Sequence, residues 1–305
     1  MGAVSIDKWE TNNHLAGNVE TPPVGMVLIP KGTFKMGSSV GGGATPADVN
    51  YDPADVQAYD NQTPQHWVKL TKDFYMGKYQ ITNAQYVAFL NTKGISNNND
   101  SGYGNVTYDS DGISTDGTNL KFITAHDWGV TCENGTWKAQ AGYENHPVIN
   151  VTWYGAKAYA DWIGGSLPTE AQWEYACRAG TTTIYSYGDV VDGEYMWYMD
   201  NNGNDGYPSG TKPVGKKTVN PWGLYDMHGN IDEWCLDQWG GGRNYPIANT
   251  EDVAIENPLI TAGNLRVLRG GSWNGYDLFC RSAYRAGHDP AGANFSFGFR
   301  VVFVP

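Results

Sequence analysis

The sequence predicts an α+β protein: loop-rich, with small antiparallel sheets and two or three short helices. Composition is the first sign, because 39 Gly and 15 Pro accompany 12 Trp, 20 Tyr and a 40% hydrophobic share in 305 residues. Such a chain is rich in turns yet has enough apolar surface for a sizeable core. The second sign is a set of helix starts, each headed by Thr and each short. The third is a series of brief alternating apolar runs bounded by Gly, Pro and Asp, which read as strands.

Residues 1–24 are polar and Pro-punctuated and read as a linker, or as what remains beside a removed leader. "GMVLIPKGTFKMGS" (25–38) then suggests a hairpin, and "HWVKLTKDFYMGKYQIT" returns to strand-like alternation. Between them, "GGGATP" belongs to an ordinary flexible loop with no phosphate-loop Lys. Thr82 with Gln85 forms a capping-box pattern ahead of Tyr86, Phe89 and Leu90. A polar, turn-rich stretch after this helix reads as an insertion of surface hairpins. A second helix opens at Thr152 and runs to Trp162, and a third opens at Pro168, Thr169 and Gln172 and stops at Gly180. With no internal repeat and no shift in composition, residues 25–305 are expected to form one domain.

Charge narrows the partners. With 20 Lys plus Arg against 32 Asp plus Glu, the formal charge is −12. That balance repels phosphate backbones and anionic lipid, so neither nucleic acid nor direct membrane insertion is expected. No apolar run reaches the roughly 20 residues of a spanning helix.

Catalytic signatures are sparse. The six His residues lack metal-ligand spacing, and His66, His126 and His146 read as structural. "GGSWNG" is not a nucleophile elbow. Cys132, Cys177, Cys235 and Cys280 form no C-x-x-C motif. Cys177 reads as a core thiol, whereas Cys235 and Cys280 are open to either free thiols or a disulfide. "GLYDMHGNIDEW" gathers Asp226, Gly229, Asn230, Ile231, Asp232 and Glu233 in one tight turn. Hard oxygens from such a turn could ligate calcium, although on spacing alone a hydrogen-bonded turn is the better reading.

The motifs "GMVLIPKGTFKMGS", "YQITNAQYVAFLN", "HPVINVTWYGAKAYADW", "LPTEAQWEYACRAG", "NPWGLYDMHGNIDEW" and "VLRGGSW…CRSAYR…GFRVV" stand in the order seen in the formylglycine-generating, sulfatase-modifying enzyme family. The chain resembles that family over nearly all of residues 25–305. The resemblance implies a C-type-lectin-like fold. It also implies a calcium held by Asp226, Glu233 and the carbonyls of Gly229 and Ile231; the family's other calcium site falls near Trp197, Tyr198, Asp205 and Tyr207, but Trp197 stands where an oxygen ligand is needed, so no second calcium is expected. The family's oxidase binds copper through two cysteines five residues apart. Here the second matches Cys280, but the first falls on Gly275, so copper chemistry is not expected.

The last forty residues also resemble the variable proteins of diversity-generating retroelements, which share this fold. In those proteins, adenine-directed mutation of Asn codons cannot yield Lys, Gln, Glu, Met or Trp. Residues 274–297 contain none of these five, although all occur elsewhere in the chain. The resemblance implies a noncatalytic, monomeric, ligand-binding protein at the cell surface or outside the cell, carried there as a lipoprotein. Its variable region, about 273–297, would meet a macromolecule, with protein the expected class. The expected contact residues are Trp273, Gly275, Tyr276, Asp277, Leu278, Phe279, Tyr284, Gly287, His288, Phe295 and Ser296. Core packing is the competing reading for Tyr276, Phe279 and Tyr284, and turn formation for Gly275 and Gly287. The alternative function is an oxidoreductase with a copper site rebuilt around Cys280.

Overall fold

In a computed structural model, which describes residues 24–39, 61–98, 101–105, 119–125, 129–203, 210–240 and 248–305, the 25–38 stretch is not a hairpin. It forms strands β1 (Met26–Ile29) and β2 (Gly32–Met36), which enter different sheets. At their junction the Asp73 carboxylate accepts a hydrogen bond from the Lys31 backbone N–H, at 2.8 Å. β2 pairs with β3 (His66–Leu70), and β1 pairs with β4 (Phe74–Gly77). The alternation read from the sequence holds in β3, where His66, Val68 and Leu70 are buried. β4 is buried along its whole length.

Helix α1 (Asn83–Thr92) begins as its sequence predicts. Thr82 Oγ1 accepts from the Gln85 N–H, and the Gln85 side chain accepts from the Thr82 N–H. A cap of this kind contributes about 1 kcal/mol. The predicted surface insertion contains β5 (Ser96–Asn98), β6 (Ser101–Asn105) and β7 (Asn119–Thr124), an antiparallel meander, followed by the hairpin β8 (Val130–Glu133) and β9 (Thr136–Ala139). Helices α2 (Trp153–Trp162) and α3 (Glu170–Arg178) are capped by Thr152 and Thr169. The third helix stops where Gly180 implies: Arg178 is its last residue, Ala179 is the C-cap, and Ala179 and Gly180 both take positive φ, at 49° and 89°.

The C-terminal sheet has the order β13–β12–β10–β14, from β10 (Asp232–Trp239), β12 (Leu265–Arg269), β13 (Arg285–His288) and β14 (Phe297–Gly298). Its pairings are antiparallel except for β10 with β14. β11 (Ile255–Glu256) adds a second short parallel pairing on β3, and β15 (Val302–Phe303) joins β4. One core lies around α1 and α2, with Tyr86, Phe89, Phe122, Tyr159 and Phe299. A second lies around α3, with Trp173, Val68, Met76 and Val267. Two core indoles have their N–H groups satisfied by backbone carbonyls: Trp153 donates to Cys235 O at 2.8 Å and Trp234 to Val151 O at 2.9 Å. His66 and His146 are buried and hydrogen-bonded, as structural histidines should be, while His126 lies outside the described residues. No helix among the described residues is long and apolar enough to cross a membrane.

Candidate functional site

The C-terminal face is built on a buried ionic floor. Glu170 and Glu174, one turn apart on α3, project into the sheet beneath. Glu170 accepts from Arg285 Nε and Nη2, both at 2.6 Å, and pairs with Arg269 Nε at 3.2 Å. Glu174 pairs with Arg178 at 2.8 Å and with Arg269. These side chains are almost wholly buried, so every charge there depends on its partner. α3 is thereby locked to β12 and β13, the two strands that carry the face.

Between those strands the chain makes an excursion over residues 270–284. Gly271 opens it at φ 69°, where a Cβ would lie 2.6 Å from Phe279 O, so only glycine fits. A 3-10 turn over Asp277–Cys280 follows. The surrounding scaffold holds this excursion by its carbonyl oxygens. Asn202 Nδ2 donates to Trp273 O at 2.9 Å, Met199 N to Gly275 O at 2.9 Å, and Tyr185 Oη to Asp277 O at 3.1 Å. Arg269 donates to Tyr284 O. His228 Nδ1 lies 2.7 Å from Cys280 O, which can only accept, so the proton is on Nδ1. Its Nε2 then accepts from Ser186 N at 3.1 Å. Burial lowers the His228 pKa to about 4, consistent with this neutral tautomer.

Asp232 ties down the far side of the excursion. Its N–H donates to Ser296 O at 2.8 Å, and its carboxylate accepts from Ser296 Oγ at 3.2 Å and from Ser272. Burial raises its pKa to about 6.

Of the expected contact residues, Tyr276 and Phe295 are the most exposed, at 51% and 39%. Trp273 packs beside Phe295, with ring centroids 5.6 Å apart, and Tyr276, Phe279 and Tyr284 form a run at 6.2 and 5.0 Å. Asp277, half-buried, accepts from the Tyr185 hydroxyl through Oδ2 at 3.4 Å. Three expectations need correction. Leu278 and Ser296 are buried, Leu278 because the 3-10 turn directs it inward and Ser296 because it bonds Asp232. Gly287 is covered by Trp239, whose ring would lie 2.2 Å from an added Cβ. His288 is half-buried and leans on Phe297, with centroids 4.8 Å apart. Sequence reasoning missed the rim: Tyr198 and the exposed Met199 border Gly275, and Tyr198 shares the electrostatic neighbourhood of Asp277. It also missed the supporting Glu170 and Glu174.

All four cysteines are free, which removes the Cys235–Cys280 disulfide. The residues do not fit a two-thiolate copper site. Gly275 offers no sulfur, and Cys280 is fully buried with its thiol directed to Tyr276 O at 3.9 Å. Burial pushes the pKa of Cys280 well above its ordinary value, opposing the thiolate that copper requires.

The turn expected to hold calcium has a similar difficulty. Asp226, Ile231 and Glu233 are buried. Arg300 grips Glu233 with a two-pronged contact, Nε to Oε2 at 2.6 Å and Nη2 to Oε1 at 2.7 Å. Trp173 Nε1 donates to Oε2 at 2.8 Å. Gly229 O accepts from Ile231 N at 3.0 Å. Asp226 Oδ2 accepts from Gly215 N at 2.7 Å, while Oδ1 is buried without a hydrogen-bond partner. Burial raises the Asp226 pKa to about 6. Both Glu233 oxygens and the Gly229 carbonyl are thus already engaged by N–H donors, and Asp226 Oδ1 is the one carboxylate oxygen of the set without a protein partner; a set so engaged does not fit an ion that takes six to eight oxygens. Of the second set, Asp205 and Tyr207 lie outside the described residues.

Comparison with known proteins places this architecture. A Streptomyces coelicolor formylglycine-generating enzyme is 31% identical over 298 residues, covering 91% of this chain and 88% of its own. The serine/threonine-protein kinase pkn1 of Chlamydia caviae is 34% identical over 243 residues, covering 79% of this chain, which spans about a third (34%) of the kinase's length. The Treponema denticola variable protein 1 superposes with a TM-score of 0.60 at 23% identity, covering 92% of this chain and 95% of that one, and so shares the fold. The model of the sulfatase-modifying factor enzyme 1-like domain matches residues 12–304, and the chain belongs to that family.

Proposed function

We propose that this protein is a noncatalytic, ligand-binding variable protein of a diversity-generating retroelement, displayed outside the cell and binding a macromolecule, a protein, through residues 273–297. The observation that carries the reading is the exchange at the family's copper pair. Where two thiols would be needed, one position is Gly275 and the other is the buried Cys280, and the surface beside them is aromatic. Tyr276, Phe279, Trp273 and Phe295 offer large contact area with few rotatable bonds, and Asp277 adds a directional polar group. The ionic floor supplies the rigidity that such a surface needs. The likeness to the Treponema variable protein supports the fold on which this role would operate.

Sequencing the 3′ end of the gene across sister isolates tests the proposal. Differences confined to adenine-derived codons between Asn274 and Phe297 are expected. An invariant end would remove its basis. The likeness to the Streptomyces enzyme favours a second reading, a copper-dependent oxidase centred on Cys280. Tight Cu(I) binding lost in Cys280→Ser, with oxidation of a cysteine peptide, is the result that would establish it.

A further inference from the structure

The turn before β10 presents the oxygens of a cation site, yet it is filled from within. The key residue is Gln80, just before α1 and 1% exposed. Its amide orientation follows from its neighbours. Asn230 Oδ1 accepts from Lys212 N at 2.9 Å and its Nδ2 donates to Lys212 O at 3.1 Å, so the backbone of Lys212 fixes which end of Asn230 is which. Asn230 Nδ2 also donates to Gln80 Oε1 at 3.0 Å. The Gln80 amino group therefore faces the other way. There it meets Glu233 Oε1 at 2.9 Å, Asp226 O at 3.2 Å and Gly229 O at 3.4 Å.

One amino group, with two hydrogens, thus serves three oxygens that belong to three parts of the turn. Arg300 completes the arrangement by donating to Glu233, to Tyr225 O at 3.0 Å and to Gly77 O at 3.1 Å. We infer that Gln80 and Arg300 replace a divalent cation in this turn, making it a metal-independent version of an oxygen-lined site. A cation entering here must compete with N–H donors for the same lone pairs and must expel a buried amide. It would also approach a guanidinium that already neutralises Glu233. The arrangement bonds the start of α1 to the end of the chain and to the strand that supports the candidate face, with no exchangeable component.

The test compares the wild type with Gln80→Glu, which exchanges the donating nitrogen for an acceptor oxygen. The wild type should melt at the same temperature in 1 mM calcium chloride and in EGTA. Gln80→Glu should melt lower than the wild type in EGTA and regain about 5 °C in calcium, the size expected when a ligand well above its Kd binds only the folded state. A calcium-dependent rise in the wild type equal to that of the variant overturns the inference, as does a variant indifferent to calcium. If Gln80→Glu fails to fold in either buffer, calorimetric titration of the wild type with calcium decides. No saturable binding sustains the inference, and one-to-one binding overturns it.

Discussion

Tyr276 and Leu278 are two positions apart and have opposite fates. The tyrosine ring is half in solvent, whereas Leu278 is 3% exposed. Tyr276→Ala should change folding stability by no more than about 0.5 kcal/mol. Leu278→Ala should cost about 2–5 kcal/mol, the range for a buried leucine. Urea unfolding of both variants checks the pair, and similar losses would show that Tyr276 is core rather than surface. Once a protein ligand is in hand, Tyr276→Ala should weaken its binding at least tenfold, about 1.4 kcal/mol, as an aromatic anchor would. The sequence marked this segment but could not sort it. A strand alternates with period two and an α-helix with 3.6, but residues 270–284 follow neither. Their inside and outside are set by a single 3-10 turn and by carbonyl contacts to residues far along the chain.

Helix α3 shows what a local signal can and cannot convey. Its capping box is complete within four residues, Thr169 to Gln172, and was legible for that reason. Thr169→Ala should cost about 1 kcal/mol. Its larger role is to present Glu170 and Glu174 to Arg285 and Arg269, partners 115 and 95 residues away. Spacing along a helix says that two acids share a face, but not that they are buried or which arginines meet them. Glu170→Gln should therefore cost about 3–5 kcal/mol, because it leaves Arg285 charged and poorly matched in the interior. Denaturant titration against Thr169→Ala measures the contrast. Equal costs would mean that the ionic floor contributes little. The hairpin expected at 25–38 failed for a related reason: its strand content was local, but the choice of partner sheet was not.

Across the whole molecule, the order of motifs made the fold legible because each motif marks a cap, a buried strand or a tight turn. The donors that fill the oxygen-lined turn were not legible, since Gln80 and Arg300 lie at distant points in the sequence. Global stability should also carry opposing pH dependences. Burial, then Glu170, raises Asp237 to about 7. Its folded form keeps a proton that an unfolded Asp loses near 3.9, so its contribution is full below about 4 and is lost as pH rises through 7. Burial lowers His146 to about 4. The unfolded chain takes up that proton near 6.5, so this contribution is full above about 6.5 and is lost as pH falls toward 4. Removing the second slope in His146→Gln should make the variant gain stability relative to wild type between pH 7 and pH 5. Parallel urea-unfolding profiles would defeat that expectation. Finally, the scaffold grips Trp273, Gly275, Asp277, Cys280 and Tyr284 through main-chain oxygens, which every amino acid possesses. Inheritance of shape is thereby separated from inheritance of surface: in the proposed role, a codon rewritten at Tyr276 or Phe279 would change what a partner meets while these main-chain contacts persist, so selection could act on recognition with little mutational load.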